Sequence, residues 1–451
     1  MERRDRQERT SMKPPPTRPR AGTPVPLGIM RLKLAAKSDV TKRFENLMCH
    51  LKVENLRSAY LSLDPRKAKG SDGITKARYG ENLEANLMDL ETRLHSGSYH
   101  PRPARQILIP KGNDKFRPIA VSNFEDKIIQ KAMADILGAL YEPLFLHISL
   151  GFRPRQGCHS AIRKSYHLLK EGQRSYVVDV DLEKFFNSID HDKLMQCIQR
   201  RISDPRFLRL LTKLLRVGIL DQGVVVKNEL GSPQGSIVSP ILANIYLHYV
   251  LDLWFQKRFA KHDQQMVRYA DDAIFCFQTQ AKAKDFLSSL KGRLEEYKLK
   301  LNEDKTRIVN FRQQDHQVFN FLSFTFYWGR DRKGKTLLKL KTQAEKLRAS
   351  IHEFKLWIKQ NRSRYRTQVL WKKTAEKLRG HYAYYGVVFN SKVTSFYYFS
   401  TKLLFKWLNR RSQKKSMDWP KFLRRLRHHP LPKPWGYQLA KLNQGVFHYA
   451  I

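Results

Sequence analysis

Aspartates at two places in the sequence could bind divalent cations. Segment 266–277 places Asp271 and Asp272 between two apolar runs, which predicts a β-hairpin with both carboxylates at its turn. Segment 176–186 places Asp181 at the end of an apolar run, which predicts a strand that ends in acid. Taken alone, turn aspartates are more often hydrogen-bonding turn formers than metal ligands. A carboxylate in an apolar strand, however, is costly unless a cation neutralises it.

Two such strands side by side would gather the three carboxylates of Asp181, Asp271 and Asp272. Two Mg²⁺ ions about 4 Å apart can activate an attacking oxygen and stabilise a leaving one, which is what phosphoryl transfer requires. Neither His nor Cys enters this set, and hard oxygen ligands favour Mg²⁺. The sequence therefore predicts a two-metal site for phosphoryl transfer.

The elements that would position these carboxylates follow from the apolar pattern. Short apolar runs at 107–109, 176–178, 224–226 and 273–275 alternate with helical stretches, which predicts an α+β domain with a sheet. We divide the chain into a disordered basic N-terminal arm (1–30), a helical N-terminal extension (31–100), the α+β domain (101–330), a helical domain (331–440) and a C-terminal tail (441–451).

The charge of the chain is strongly positive and unevenly distributed. There are 85 Lys and Arg against 41 Asp and Glu, a net charge of +44, and residues 331–451 hold 29 Lys and Arg against 5 Asp and Glu. A hydrophobic content of 41% excludes disorder as the main state. A solvated helix face would usually balance its charges, so the basic helical domain indicates a groove for a nucleic-acid backbone.

Membrane and secreted classes are disfavoured. The longest run without charged residues, 231–251, contains two prolines, Gln234, Asn244 and His248, so it does not predict a membrane span. The N-terminus has no apolar core of a signal peptide, which predicts a protein that is not secreted and stays in the reducing cytoplasm. The four cysteines lie far apart without a CxxC pair, which argues against zinc and against disulfides.

Tyr269-Ala270-Asp271-Asp272 resembles the YxDD signature of reverse transcriptases, and its neighbours resemble the group II intron-encoded reverse transcriptase/maturase family. Further blocks of that family occur in order between residues 40 and 435: 69–75, 109–111 with 117–118, 125–130, 151–154, the Asp181 block, 231–235, 301–306 and 321–324. The resemblance implies a right-hand polymerase, with fingers and an antiparallel palm sheet, followed by an all-helical thumb/maturase (X) domain with a basic three-helix thumb.

The resemblance also implies roles for individual residues. Asp181, Asp271 and Asp272 would be catalytic, and together with the Leu182 carbonyl they would bind two Mg²⁺ ions, which Mn²⁺ could replace. Phe186 would exclude a ribose 2′-hydroxyl, with core packing as the alternative because Phe185 is adjacent.

Four further residues would contact the incoming nucleotide. Lys111 and Arg117 match fingers residues that bind its triphosphate. Gln234 lies in a Pro-Gln-Gly segment whose glycine would allow the backbone to approach the nucleotide, or which is a plain turn. Lys305 resembles a lysine suggested as general acid toward pyrophosphate, with a structural salt bridge as the alternative.

Segments 378–387 and 405–412 resemble the maturase region, so the basic thumb around Arg379, Arg410 and Arg411 is expected to bind RNA, while most of its aromatic residues pack its helices together. The sequence departs from the family at Asn187, Ser323, Ala120 and Ser122. It also has no HNH-like cluster, so we expect no endonuclease domain. Without such a domain, the protein is expected to use existing 3′ ends as primers, such as those at replication forks.

Three functions are compatible with these observations. The first is an RNA-directed DNA polymerase that also binds group II intron RNA as a maturase, with RNA template, DNA primer or target and dNTPs as partners. The second is a domesticated relative used in defence or repair. The third is a splicing factor with a vestigial polymerase, which the presence of all three aspartates disfavours.

Overall fold

The computed structural model describes residues 25–434 except 113–114, 171–173, 222–223, 227–229, 234, 261–264, 332 and 412–416. Most of the predicted N-terminal arm and the whole predicted C-terminal tail lie outside these residues. The described chain divides into a larger unit, residues 25–161 and 174–310, and a smaller unit, residues 162–170 and 311–434.

Helices in the first part of the chain form much of the larger unit's core. They are α1 (Leu27–Ser38), α2 (Val53–Ser62), α3 (Lys76–Gly80), α4 (Leu83–Ser96), α5 (Phe124–Tyr141) and α6 (Cys158–Lys170), of which α6 continues into the smaller unit. The start of α1 at Leu27 makes residues 27–30 helical, although they were expected in the disordered arm. The central helix is α5, whose side chains at Ile128, Met133 and Leu137 are fully buried.

Two sheets lie in the larger unit. Their strands are β1 (Ala104–Gly112), β2 (Lys115–Val121), β3 (Tyr176–Val180), β4 (Ile219–Asp221), β5 (Val224–Val226), β6 (Gln265–Tyr269), β7 (Asp272–Phe277) and β8 (Arg307–Asn310). The first sheet has the order β2-β1-β4-β5 and the second, which we call the carboxylate sheet, has the order β6-β7-β3-β8. All neighbours in the carboxylate sheet are antiparallel, as predicted.

Further helices belong to the larger unit, and of these α12 packs against the carboxylate sheet. They are α7 (Phe185–Ser188), α8 (His191–Gln199), α9 (Pro205–Leu215), α10 (Ser239–Leu247), α11 (Leu253–Arg258) and α12 (Gln280–Glu296), with a π-helical turn (His248–Asp252) between α10 and α11. The Phe286 ring of α12 lies 4.4 Å from the Phe275 ring and 5.1 Å from the Phe277 ring of β7. This aromatic contact fixes α12 against β7 and so supports the strand that begins with Asp272.

The smaller unit begins with a three-stranded sheet and ends in helices. Its strands are β9 (Phe319–Phe321), β10 (Phe324–Arg330) and β11 (Thr336–Thr342), in the order β11-β10-β9. The prediction of helix from residue 331 onward is wrong for β11. Leu338, Leu340 and Thr342 are buried and alternate with less buried lysines, which is the period of a strand and not of a helix.

Four helices follow β11 in the described residues: α13 (Ala344–Asn361), α14 (Thr367–Tyr385), α15 (Lys392–Leu408) and α16 (Trp419–His428). Three of them are long, as expected, and α16 is a short addition whose first turn is capped by Asp418, which accepts a hydrogen bond from the Lys421 amide at 2.8 Å. Their core contains Phe354, Leu378 and Trp407. Most large aromatics here pack the helices together, as predicted.

Among the described helices, none combines the length and the apolar composition that crossing a membrane requires. Cys49, Cys158, Cys197 and Cys276 are all free thiols.

Candidate active site

The turn that carries Asp271 has two residues, the first of which is left-handed. The last pair between β6 and β7 is Tyr269 with Asp272, so Ala270 and Asp271 form the turn. Ala270 has a φ of 59°, as the primed turns that favour two-residue hairpins require. The predicted hairpin is confirmed, with Asp271 at its apex and Asp272 at the start of β7.

The register of β3 brings the second acidic segment to this turn. The last pair between β3 and β7 is Val180 with Ala273, and one further step along the same register puts Asp181 opposite Asp272. The pairing of β3 with β8, continued in the same way, puts Lys305 opposite Asp181. Lys305 Nζ accordingly lies 3.1 Å from Asp181 Oδ2. The sheet thus brings together residues that are about 90 and 124 positions apart in the chain.

The three aspartates lie in a field of like charge. Loss of hydration, followed by the charges of Asp271, Asp181 and Asp179, raises the pKa of Asp272 to about 7, although this side chain stays exposed at the end of β7. Burial and the charge of Asp181 also raise the pKa of Asp271, against the opposing charge of Arg117. The negative charge of this cluster is therefore incompletely compensated by the protein.

Burial likewise raises the pKa of Asp179, to about 6, although the Arg307 guanidinium opposes this shift. Arg307 Nε lies 3.7 Å from Asp179 Oδ2, and the two residues face each other across β3 and β8. Asp179 therefore has a cationic partner of its own beside the three aspartates.

The oxygen atoms of Asp181, Asp271 and Asp272 are of the type that binds a hard divalent cation. Carboxylate and carbonyl oxygens are the ligands that Mg²⁺ prefers, and a cation would relieve the charge that raises the pKa values of Asp271 and Asp272. In the part of the chain that the structure describes, no three His, Cys, Asp or Glu side chains are grouped closely enough to hold an ion between them. The Asp181 carboxylate accepts a hydrogen bond from Lys305.

The Leu182 backbone lies beside the carboxylates in an isolated bridge to Leu301. The two hydrogen bonds of this bridge use the Asp181 carbonyl, 2.9 Å from the Asn302 amide, and the Glu183 amide, 2.9 Å from the Lys300 carbonyl. They do not use the Leu182 carbonyl oxygen, which was predicted as a metal ligand.

The predicted triphosphate contacts lie on the hairpin of β1 and β2. Arg117 pairs with Ile109 in this hairpin, its side chain is exposed, and its charge opposes protonation of Asp271. The backbone of Lys111 lies in β1 where the register with β2 shifts, between Pro110 and Gly112, and its side chain lies outside the described residues.

Phe185 and Phe186 differ in their surroundings. Phe185 is only 2% exposed and belongs to the core, whereas Phe186 is half-buried and its ring contacts the exposed Phe152 ring edge-on at 6.5 Å. The Phe186 carbonyl accepts a hydrogen bond from the Ser232 amide at 2.7 Å. Only Phe186, therefore, presents a ring outside the core.

The predicted nucleotide contact Gln234 lies outside the described residues, but the glycine after it is described. Gly235 has a φ of 115°, and a Cβ atom there would lie 2.4 Å from the Ala120 carbonyl oxygen. The glycine thus allows close approach of strand β2 of the same chain, which the sequence analysis did not foresee.

The three arginines predicted for RNA binding have different environments. Arg379 on α14 and Arg410 after α15 are exposed. Arg411 is half-buried and donates hydrogen bonds to the Tyr365 carbonyl at 3.0 Å and to Thr367 Oγ1 at 2.7 Å. Arg411 therefore connects the loop before α14 to the end of α15.

A buried ion pair that involves strand β6 was not predicted from the sequence. Arg268 of β6 and Asp252 of the π-helical turn both have fully buried side chains, and Arg268 Nη2 lies 2.5 Å from Asp252 Oδ2. Arg268 also donates to the Ala270 carbonyl at 2.9 Å. The available signal was an arginine within an otherwise apolar strand, because a buried charge needs a partner.

Sequence comparisons relate this chain to reverse transcriptases and to intron-encoded proteins. Residues 109–326 match the reverse transcriptase (RNA-dependent DNA polymerase) family. The chain is 32% identical over 358 residues to protein YkfC of Escherichia coli strain K12, which covers 71% of this chain and 93% of YkfC. It is 37% identical over 192 residues to the group II intron-encoded protein LtrA of Lactococcus lactis subsp. cremoris, or 42% of this chain and 32% of LtrA. The putative COX1/OXI3 intron 2 protein of Saccharomyces cerevisiae is 35% identical over 287 residues, or 62% of this chain and 31% of that protein.

Proposed function

Because this chain belongs to the group II intron reverse transcriptase/maturase family, we propose that it is an RNA-directed DNA polymerase that extends a primer 3′-hydroxyl on an RNA template. The observation that carries this proposal is the register of β3 against β7, which sets Asp181 opposite Asp272 and beside the turn of Asp271. We further propose that the protein binds group II intron RNA as a maturase, since its relative LtrA is a group II intron-encoded protein.

Asp181, Asp271, Asp272 and the Leu182 carbonyl would hold two Mg²⁺ ions, with Mn²⁺ as a substitute. When bound, such ions supply Lewis-acid stabilisation of the attacking and leaving oxygens of phosphoryl transfer. Arg117 and Lys111 would bind the triphosphate of the incoming dNTP, since cations on an exposed hairpin suit that charge. Gln234 would contact the same nucleotide.

Phe186 would exclude the ribose 2′-hydroxyl, which its half-buried ring beside Phe152 supports. Lys305 would donate a proton to the pyrophosphate leaving group. Its hydrogen bond to Asp181 gives it a structural partner before the reaction, and a triphosphate would compete with Asp181 for the ammonium group. In the smaller unit, the exposed arginines Arg379 and Arg410 would bind phosphates of the RNA.

The test is primer extension on an RNA template with dNTPs and Mg²⁺. The wild type should extend the primer, and an Asp271→Asn/Asp272→Asn double variant should bind the same RNA and extend nothing. The matched control is Asp192→Asn/Asp285→Asn, which removes two exposed carboxylates outside the site and should retain extension. A wild type that binds RNA tightly but extends no primer would contradict the polymerase proposal and favour the splicing factor.

A further inference from the structure

All five N–H groups of the buried Arg268 guanidinium are used. Nε and Nη2 contact the two Asp252 carboxylate oxygens at 2.7 and 2.5 Å. Nη2 also donates to Ser149 Oγ at 2.7 Å, and Nη1 donates to Asn244 Oδ1 at 3.1 Å and to the Ala270 carbonyl at 2.9 Å. An arginine has five donors, so this set is complete.

The same cluster also contacts the loop at residues 148–151, which lies against the turn. Asn244 Nδ2 donates to the Gly151 carbonyl at 2.7 Å. The Gly151 backbone lies so close to the turn that a Cβ atom there would be 2.2 Å from the Ala270 amide nitrogen. The Arg268 backbone pairs with the same loop, because its amide donates to the Ile148 carbonyl and its carbonyl accepts from the Leu150 amide, each at 2.9 Å. The turn is therefore contacted both by the loop at Gly151 and by the Arg268 guanidinium.

A role limited to stability explains this arrangement poorly. A fully buried ion pair recovers its desolvation cost only with excellent geometry, and apolar residues of similar volume often stabilise a protein as well or better. Apolar side chains at positions 268 and 252, however, could not donate a hydrogen bond to the Ala270 carbonyl. Ala270 holds a left-handed conformation that is unfavourable for a residue with a Cβ atom, so the turn needs such an outside contact to persist.

We propose that Arg268, oriented by Asp252 and Asn244, is a positioning residue that holds the Ala270 turn in its left-handed conformation and thereby fixes Asp271 and Asp272 at the active site. The inference rests on the proposed polymerase function for its catalytic consequence, but not for its effect on the turn. Fixing catalytic groups in advance is valuable because a displacement of about 1 Å can cost about 100-fold in rate.

The test uses an Arg268→Met/Asp252→Leu variant, which removes both charges and leaves no unpaired ion. We expect kcat for single-nucleotide extension to fall about 100-fold with a nearly unchanged KM for dNTP and unchanged RNA affinity. Without substrate or Mg²⁺, amide exchange measured by mass spectrometry should rise in the peptide that spans the turn and stay unchanged in β1 and β2.

The matched control is Arg201→Met. Arg201 is also a buried arginine, 2% exposed, and donates to the Ala36, Asp39 and Val40 carbonyls, far in sequence from the hairpin. This variant should lower the melting temperature while keeping kcat per folded molecule and the exchange of the turn. If the double variant does not fold, Arg268→Lys, which retains the buried charge but not the guanidinium fork, takes its place with the same expected directions.

A folded variant that keeps the kcat of the wild type would contradict the proposal. Unchanged amide exchange in the peptide that spans the turn would contradict it as well. If the wild-type protein itself extends no primer, the proposed function fails, and the exchange measurement alone then decides whether Arg268 holds the turn.

Discussion

Phe185 and Phe186 are adjacent and identical in type, yet only one of them lies in the core. Phe185 is buried, whereas the half-buried Phe186 ring contacts the exposed Phe152 ring. The two positions therefore form a natural matched pair for testing whether ring size at one of them controls the choice of sugar.

We expect Phe186→Val to raise incorporation of ribonucleotides relative to dNTPs by roughly 10- to 100-fold, because a smaller side chain leaves room for a 2′-hydroxyl. Single-nucleotide extension with each substrate measures this ratio. The control, Phe185→Val, should lower the melting temperature through loss of core packing and leave the ratio unchanged. An unchanged ratio in Phe186→Val would mean that this ring only packs.

The raised pKa of Asp272 predicts a pH-dependent effect on stability. A carboxyl whose pKa rises on folding, from about 4 to about 7 here, binds protons more tightly when folded, so stability is lost as the pH rises through this window. Without divalent cations, Asp272→Asn should therefore melt at a higher temperature than the wild type at pH 8, with a difference that shrinks toward pH 5.

Thermal melts at several pH values in EDTA measure this difference, and Mg²⁺ should reduce it by stabilising the wild type. Asp285→Asn, on the exposed face of α12, should show no such trend. A difference that is constant with pH would contradict the assigned electrostatics of the site.

At the scale of elements, the loop before α6 and the hairpin of β6 and β7 are in direct backbone contact at Gly151. We expect Gly151→Ala to reduce primer extension at least about 10-fold or to prevent folding, because its Cβ atom would overlap the Ala270 backbone. Gly157→Ala is the control, since a Cβ atom there would meet nothing within 4 Å. Normal extension by Gly151→Ala would show that the loop and the turn can separate without loss of function.

Ser323, where the sequence departs from the family, lies at a strained position in the hairpin of β9 and β10. Leu322 and Ser323 form its turn with φ values of 48° and 69°, and turns of this kind favour glycine at the second position. We expect Ser323→Gly to be more stable than Ser323→Ala by about 1 kcal/mol, since both lose the hydroxyl but only glycine relieves the strain. Urea unfolding of the two variants measures this difference, and equal stability would contradict it.

The sequence predicted these elements unevenly, for physical reasons. The strands around Asp181 and the hairpin of Asp271 were predictable because apolar runs broken by acid are local signals. The order β6-β7-β3-β8 and the pairing of Lys305 with Asp181 depend on register between distant segments, so neither was predicted; the resemblance to the family implied only an antiparallel palm sheet that carries the carboxylates. The partners of Arg268 come from three separate segments, and no local pattern predicts such a cluster.

At the scale of the whole molecule, the excess of positive charge should determine how nucleic acid binds. Neutralising phosphates releases counterions, so RNA affinity should fall steeply with salt in a chain of net charge +44. We expect Arg379→Gln/Arg410→Gln to reduce the slope of log affinity against log salt by about 0.7 for each phosphate of single-stranded RNA that is no longer neutralised.

Filter binding of RNA at several salt concentrations measures this slope. Arg411→Gln is the matched control, because Arg411 bonds to Tyr365 and Thr367 and its loss should lower the melting temperature more than the slope. A slope unchanged by the double variant would exclude Arg379 and Arg410 as phosphate contacts.

The hydrogen bonds of Arg268 also have a consequence for protein engineering. They connect the hairpin to Ser149, Asn244 and Asp252, which lie 119, 24 and 16 positions away in the chain. A chimaera whose residues 265–277 come from a relative would join that hairpin to partners at 149, 244 and 252 that are not matched to it. The portable unit for grafting is therefore the three-dimensional cluster, with residues 148–151 and 244–252 exchanged together with the hairpin.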